Sequence, residues 1–230
     1  MRTSTSPRLP AKEYGGPMPD IAIPLFSRFT ALDAIGPYEV LQRIPGFDIT
    51  FIGHDTGPVR ADNGMLGIEI DATFEDVPNP DIIVFPGGIG TRELMTDERV
   101  LEWVRTAHST STFTTSVCTG SLVLAAAGLL GGLTATTHWS ALGVLTEYGA
   151  VPTGDRVVEH IDRRIITAAG VSSGIDMALR LVELMVDATA AQAAQLMIEY
   201  DPQPPFDAGS TDKATDEIMT RVIEYAAERD

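Results

Sequence analysis

Short apolar runs suited to buried strands alternate along this chain with segments whose apolar residues recur at helical spacing. That alternation leaves few architectures open, because a strand followed by a helix must cross over before the next strand can pair in parallel with it. Strand patterns fall at Asp20–Phe26, Asp48–Gly53, Gly67–Ile70, Asp81–Phe85 and Phe113–Val117, with a short β-rich piece at Thr134–Thr137. Val157–Ala168 alternates around Asp162-Arg163 and predicts a hairpin. Helical patterns fall at Thr30–Leu41, Thr91–His108, Ser121–Leu130, Ser140–Tyr148, Ser173–Asp187 (serine-capped), Thr189–Tyr200 and Thr215–Glu228. The first of these is interrupted by Gly36-Pro37, so a regular helix is expected to start near Pro37. Gly131-Gly132 is expected to stop the helix after Ser121, and the segment Asp201–Ser210 has no regular pattern. The prediction is an α/β three-layer sandwich, a mainly parallel sheet with helices on both faces.

With 230 residues, 44% of them hydrophobic, the chain can bury one substantial core. No repeat or internal linker divides it, so residues 20–230 are expected to form a single domain ending in a helix. Residues 1–19 are rich in Pro, Gly, Ser and Thr and lack the apolar stretch of a secretory signal, which predicts a flexible tail. A net charge of −16 argues against nucleic acid or an anionic membrane as partner. No apolar run approaches the roughly 20 residues that span a bilayer. The single cysteine forms no internal disulfide and fits a reducing compartment, so a cytoplasmic location is expected.

That cysteine, Cys118, sits in Ser116-Val117-Cys118-Thr119-Gly120-Ser121, where a strand runs straight into a helix. A side chain at such a turn lies at the carboxyl edge of the sheet, the usual ligand side of open α/β folds. The helix N-terminus beyond it is expected to lower the thiol pKa, and Gly120 leaves the crowded turn unobstructed, as in a nucleophile elbow. The residues alone leave two readings open: a nucleophile, or a small buried hydrophobe. Gly87-Gly88 ends a neighbouring strand and its N–H groups are candidates for an anion hole beside the sulfur. Two proton-handling partners are open. Of the four histidines, His54, His108, His138 and His160, His138 suits best, though a structural role near the sheet edge competes. Asp33 lies in an apolar stretch where burial would raise its pKa, though it also suits a helix cap. No metal-ligand spacing and no complete phosphate-binding glycine pattern is present, so no metal is expected.

Together these stretches resemble the ThiJ/PfpI superfamily, relatives of the class I glutamine amidotransferases. The resemblance is carried by Leu32-Asp33 with Gly36-Pro37, Pro86-Gly87-Gly88, Ser116–Leu124, Ala126–Leu130, Ala135–Trp139, Gly174-Ile175-Asp176 and Glu199–Ser210. It implies a flavodoxin-like, glutamine amidotransferase-like fold, a homodimer and a reaction with no cofactor. Protease-like members place histidine directly after the cysteine, and many others set a glutamate against the sulfur; this chain has Thr119 and Asp33 instead. The Asp33, Cys118, Thr119 combination resembles the branch that hydrates isocyanides, R–NC, to N-substituted formamides. By that resemblance Cys118, Asp33 and Thr119 are the catalytic set, with Gly87, Gly88, Gly120 and His138 around the substrate. Two rival readings belong to the same superfamily: a ligand- or redox-sensing module, and an enzyme acting on α-oxoaldehydes or glycated groups. A regulator of this type needs a basic helix-turn-helix region, whereas the roughly 20 residues after Ser210 are acidic.

Overall fold

The structure, a computed structural model, describes residues 19–227; the expected tail at 1–19 lies outside the described residues apart from Pro19. The chain divides between Ile198 and Glu199 into two compact units.

The larger unit opens with β1 (Asp20–Pro24), α1 (Ala31–Leu41), β2 (Asp48–Gly53), β3 (Gly57–Arg60), β4 (Gly67–Ile70) and β5 (Ala72–Thr73). It continues with β6 (Ile82–Phe85), α2 (Thr91–Leu94), α3 (Glu98–Thr110), β7 (Phe113–Val117) and α4 (Gly120–Ala126). After these come β8 (Thr134–Ala135), α5 (Leu142–Glu147), β9 (Val151–Pro152), β10 (Val157–His160), β11 (Ile165–Ala168), α6 (Ser173–Met185) and α7 (Ala188–Met197). Seven strands form the central sheet in the order β10-β11-β7-β6-β1-β2-β5. All pairings in it are parallel except that of β10 with β11. The central strands β6, β7 and β11 are buried along their whole length, as continuous apolar or small-residue runs require when both faces are covered. Helices α1, α6 and α7 pack together as one layer and α2 to α5 as the other.

Several local expectations are corrected. The helix expected over Thr91–His108 is two helices, because the Asp97 side chain accepts the N–H groups of Arg99 and Val100 and starts α3 afresh. Helix α1 begins before Pro37 and carries it inside. The lost intrahelical bond is tolerated because α1 docks closely on α6, where a Cβ on Gly174 would lie 3.0 Å from Val117 and 3.3 Å from Pro37. Helix α4 ends well before Gly131, with Gly128 taking the left-handed conformation just after it. Ser172 makes no side-chain cap at the start of α6; its hydroxyl accepts from Arg156 instead. The hairpin β3–β4 has one strand the periodicity missed.

In the smaller unit, residues 201–215 contain no helix or strand, and α8 (Asp216–Ala227) follows. Its residues Ile218, Val222 and Tyr225 are exposed. Among the described residues, no helix is long and apolar enough to cross a membrane.

Candidate active site

Adjacent parallel strands β1, β6 and β7 deliver Asp33, Gly87-Gly88 and Cys118-Thr119 to the same carboxyl edge of the sheet. Cys118 is the first of the two residues between β7 and α4, with φ of +55°. A left-handed conformation costs a residue with a Cβ about 1–2 kcal/mol, so neighbouring contacts must hold it. Its N–H donates to the carbonyls of Ala168 and Ala169, both at 3.0 Å. Its carbonyl accepts from Thr137 Oγ1 at 2.9 Å and Ser121 Oγ at 3.2 Å. Gly120 is required by the turn: a Cβ there would meet the Phe85 carbonyl oxygen at 2.2 Å.

Asp33 is fully buried in the first turn of α1. Its Oδ2 accepts the Gly87 N–H at 3.0 Å, while Oδ1 is buried with no hydrogen-bond partner. Its carboxyl group lies beside Cys118: a Cβ on Gly87 would sit 2.8 Å from both Asp33 Oδ2 and the Cys118 Cβ. Burial pushes the Asp33 pKa up to about 7, against the hydrogen bonds from Cys118 and Gly87, and the nearby charge of Asp62 raises it a little further.

Cys118 corrects the expectation of a lowered thiol pKa. Burial first, and then the Asp33 charge, push the thiol well above its ordinary value. The Thr119 N–H and hydroxyl act in the opposite direction without reversing the shift. Helix α4 is only seven residues long, and its dipole does not outweigh the loss of water around a sulfur that is 5% exposed. The physical consequence is a coupled pair. Above about pH 7 and below the raised titration of the thiol, Asp33 and Cys118 hold one proton between them. A carboxylate able to accept the thiol proton therefore stands beside Cys118.

The two N–H groups expected to form an anion hole are already committed. That of Gly87 goes to Asp33, and that of Gly88 goes to Thr119 Oγ1 at 2.9 Å, whose hydroxyl in turn lies 3.1 Å from the Gly88 carbonyl. Their part in the structure is to fix Asp33 and Thr119. The N–H that acts on the Cys118 thiol is that of Thr119, whose nitrogen lies in the same crowded corner as Asp33 Oδ2 and the Cys118 Cβ. Gly87 is also where the site has no room: a Cβ on it would sit 2.5 Å from Thr119 N and 2.8 Å from both Asp33 Oδ2 and Cys118 Cβ.

His138 is not joined to this group. Its Nδ1 lies 2.8 Å from Ser140 Oγ and accepts the Ser140 N–H at 3.4 Å, and its ring packs against Gly170. Burial and the charge of Arg92 hold its pKa below the ordinary value. The other histidines bond elsewhere, His54 to Asp97 at 2.7 Å and His108 to Thr114 at 2.9 Å, while His160 reaches Thr134. Two neighbours of the site escaped the sequence reading. Thr137 touches the Cys118 backbone, and its signal was its place beside His138. Asp62 is brought near Asp33 by the bridge between Phe29 and Ala61, for which the sequence carries no signal. Among the described residues, no cluster of His, Cys, Asp or Glu is arranged to hold a metal ion.

Comparison with known proteins bears on the family and the fold. The model of the DJ-1/PfpI family matches residues 19–184. The isonitrile hydratase of Pseudomonas putida is 43% identical over 203 residues, 88% of this chain and 88% of that protein. The HTH-type transcriptional regulator CdhR of Pseudomonas aeruginosa is 30% identical over 185 residues, which take in 80% of this chain but 53% of the regulator. Among solved structures, a ThiJ/PfpI family protein from Pseudomonas syringae superposes with a TM-score of 0.85 at 37% identity, covering 98% of this chain and 94% of that one.

Proposed function

The chain belongs to the DJ-1/PfpI family, and we propose that within it the protein is an enzyme that hydrates isocyanides to N-substituted formamides. The observation that carries this reading is the pairing of the Cys118 thiol with a buried carboxyl group, Asp33, whose pKa stands near 7. The likeness to an isonitrile hydratase supports the same reading.

The chemistry follows from the shared proton. An isocyanide carbon accepts a nucleophile and a proton at the same atom. Asp33 takes the thiol proton as the sulfur attacks that carbon, then returns it to the carbon, giving the thioimidate R–N=CH–S–Cys118. Asp33 is now a carboxylate again and removes a proton from the attacking water. The new C–O bond forms, nitrogen gains a proton, and a tetrahedral centre holds both oxygen and sulfur. Its collapse breaks the C–S bond, frees R–NH–CHO and returns the hydroxyl proton through Asp33 to the sulfur. The Thr119 N–H acts on the sulfur as its charge changes, which is the kind of fixed donor that stabilises such a step. Every proton is carried by Asp33, Cys118 or water.

The test is to incubate the purified protein with a simple alkyl isocyanide and, separately, with methylglyoxal. Formamide accumulation, followed by ultraviolet absorbance, with no loss of methylglyoxal is the expected result. Turnover of methylglyoxal alone would overturn the proposal.

A further inference from the structure

We infer that Thr137, the residue before His138, is a positioning residue that fixes the peptide between Cys118 and Thr119, and with it the Thr119 N–H beside the Cys118 side chain. The inference rests on the reading of Cys118 as the nucleophile.

The torsion φ of Cys118 relates two peptide units, and each is pinned by a different part of the fold. The unit before it is held through its N–H by the carbonyls of Ala168 and Ala169 at the end of β11. The unit after it is held through its carbonyl by Thr137 Oγ1, Ser121 Oγ and, at 3.5 Å, the Ser121 N–H. Ser121 lies in the first turn of α4 and moves with that turn. Thr137 does not. It follows β8, is 1% exposed, and its bond is the shortest of the three. Thr137 is therefore the tertiary anchor on the carbonyl side, and release of its bond would leave the second peptide unit held only by the longer bonds from Ser121, free to shift with the first turn of α4.

That peptide unit carries the N–H of Thr119 as well as the carbonyl of Cys118. In a planar trans peptide the two groups point in opposite directions. A donor that fixes the carbonyl therefore fixes where the N–H points, and a hydrogen bond to the carbonyl strengthens the N–H as a donor. Thr119 N lies against the Gly87 backbone, beside Asp33 Oδ2 and the Cys118 Cβ, at the centre of the site. Thr137 reaches the reacting sulfur through this one peptide without touching it. His138, whose hydrogen bonds go to Ser140, has no such route.

The test compares Thr137→Val, which keeps shape and removes the hydroxyl, with Thr137→Ser, which keeps the hydroxyl. Two quantities are read: kcat and KM for isocyanide hydration, and the rate of Cys118 alkylation by iodoacetamide. Thr137→Val should lower kcat by about 30-fold with KM changed less than about 3-fold, and slow alkylation by about 10-fold. Thr137→Ser should restore both to within about 3-fold of the unaltered protein. Alkylation of the valine variant at the original rate, or failure of the serine variant to rescue it, would overturn the inference. If the valine variant does not fold, Thr137→Ala replaces it under the same criteria. The alkylation arm needs no isocyanide, so a protein that hydrates none of them still decides the role of Thr137.

Discussion

The N–H of Gly87 donates to Oδ2 of Asp33 at 3.0 Å, and this contact between a strand end and a buried acid sets the carboxyl group against the Cys118 thiol. The other carboxyl oxygen has no partner, which leaves one acceptor free in a closed setting.

Removing either member of the pair should end turnover. Cys118→Ala and Asp33→Val are each expected to reduce formamide formation to background, a loss of at least about 10³-fold by the usual cost of deleting a nucleophile or its base. Wild-type rates in either variant, in the same ultraviolet assay, would remove that residue from the mechanism.

Gly87→Ala tests the crowding. A methyl group at 2.5 Å from Thr119 N and 2.8 Å from Asp33 Oδ2 must displace one of them. We expect a stability loss of about 1–3 kcal/mol, read by denaturant unfolding, together with a fall in kcat larger than stability accounts for.

Activity should fall at low pH with the protonation of Asp33. Below its pKa of about 7 both members of the pair carry a proton and the thiol has no base; above it the carboxylate is available. A plot of kcat/KM from about pH 5 to about pH 9 should therefore rise through an acidic limb near 7. A flat profile would contradict the assignment.

The same acid should weaken the fold. Its pKa is raised from 3.8 to about 7 on folding, so the unfolded chain loses the proton first as pH rises. Stability from this group is fully present below about pH 4 and is lost by about pH 7, by up to about 4 kcal/mol. Asp33→Asn should accordingly melt higher than the unaltered protein at about pH 8, with the difference shrinking towards about pH 4, while being inactive.

Thr119→Val strips the hydroxyl that satisfies the buried Gly88 N–H. The orphaned donor should cost about 1–3 kcal/mol in thermal or denaturant unfolding, and Thr119→Ser should recover most of it.

The parallel sheet was legible because it follows from local pattern, and the place of Cys118 at a strand end follows from the same apolar runs. Its partner was not: the residues alone leave His138 and Asp33 both open, and the preference for Asp33 comes from the family resemblance. What escaped depended on tertiary choices. The Gly87 and Gly88 N–H groups are free donors in any strand-end turn, and only the folded arrangement decides that Asp33 and Thr119 take them. The thiol pKa was expected to follow the helix dipole, but burial and a facing carboxyl group, both absent from a local reading, set its direction. The break at Asp97 was hidden because a helical apolar stripe continues across it. His138 drew attention as an ionisable group, whereas the residue bonded to the Cys118 backbone is the unremarked Thr137.

The positive φ of Cys118 narrows the repertoire of nucleophiles this scaffold can carry. Threonine is β-branched, and its second substituent on Cβ makes the left-handed region a severe outlier. Serine fits the backbone as well as cysteine does, and a carboxylate with a pKa near 7 can serve either as a general base. The turn thus selects for an unbranched nucleophile by shape, before any question of oxygen or sulfur arises.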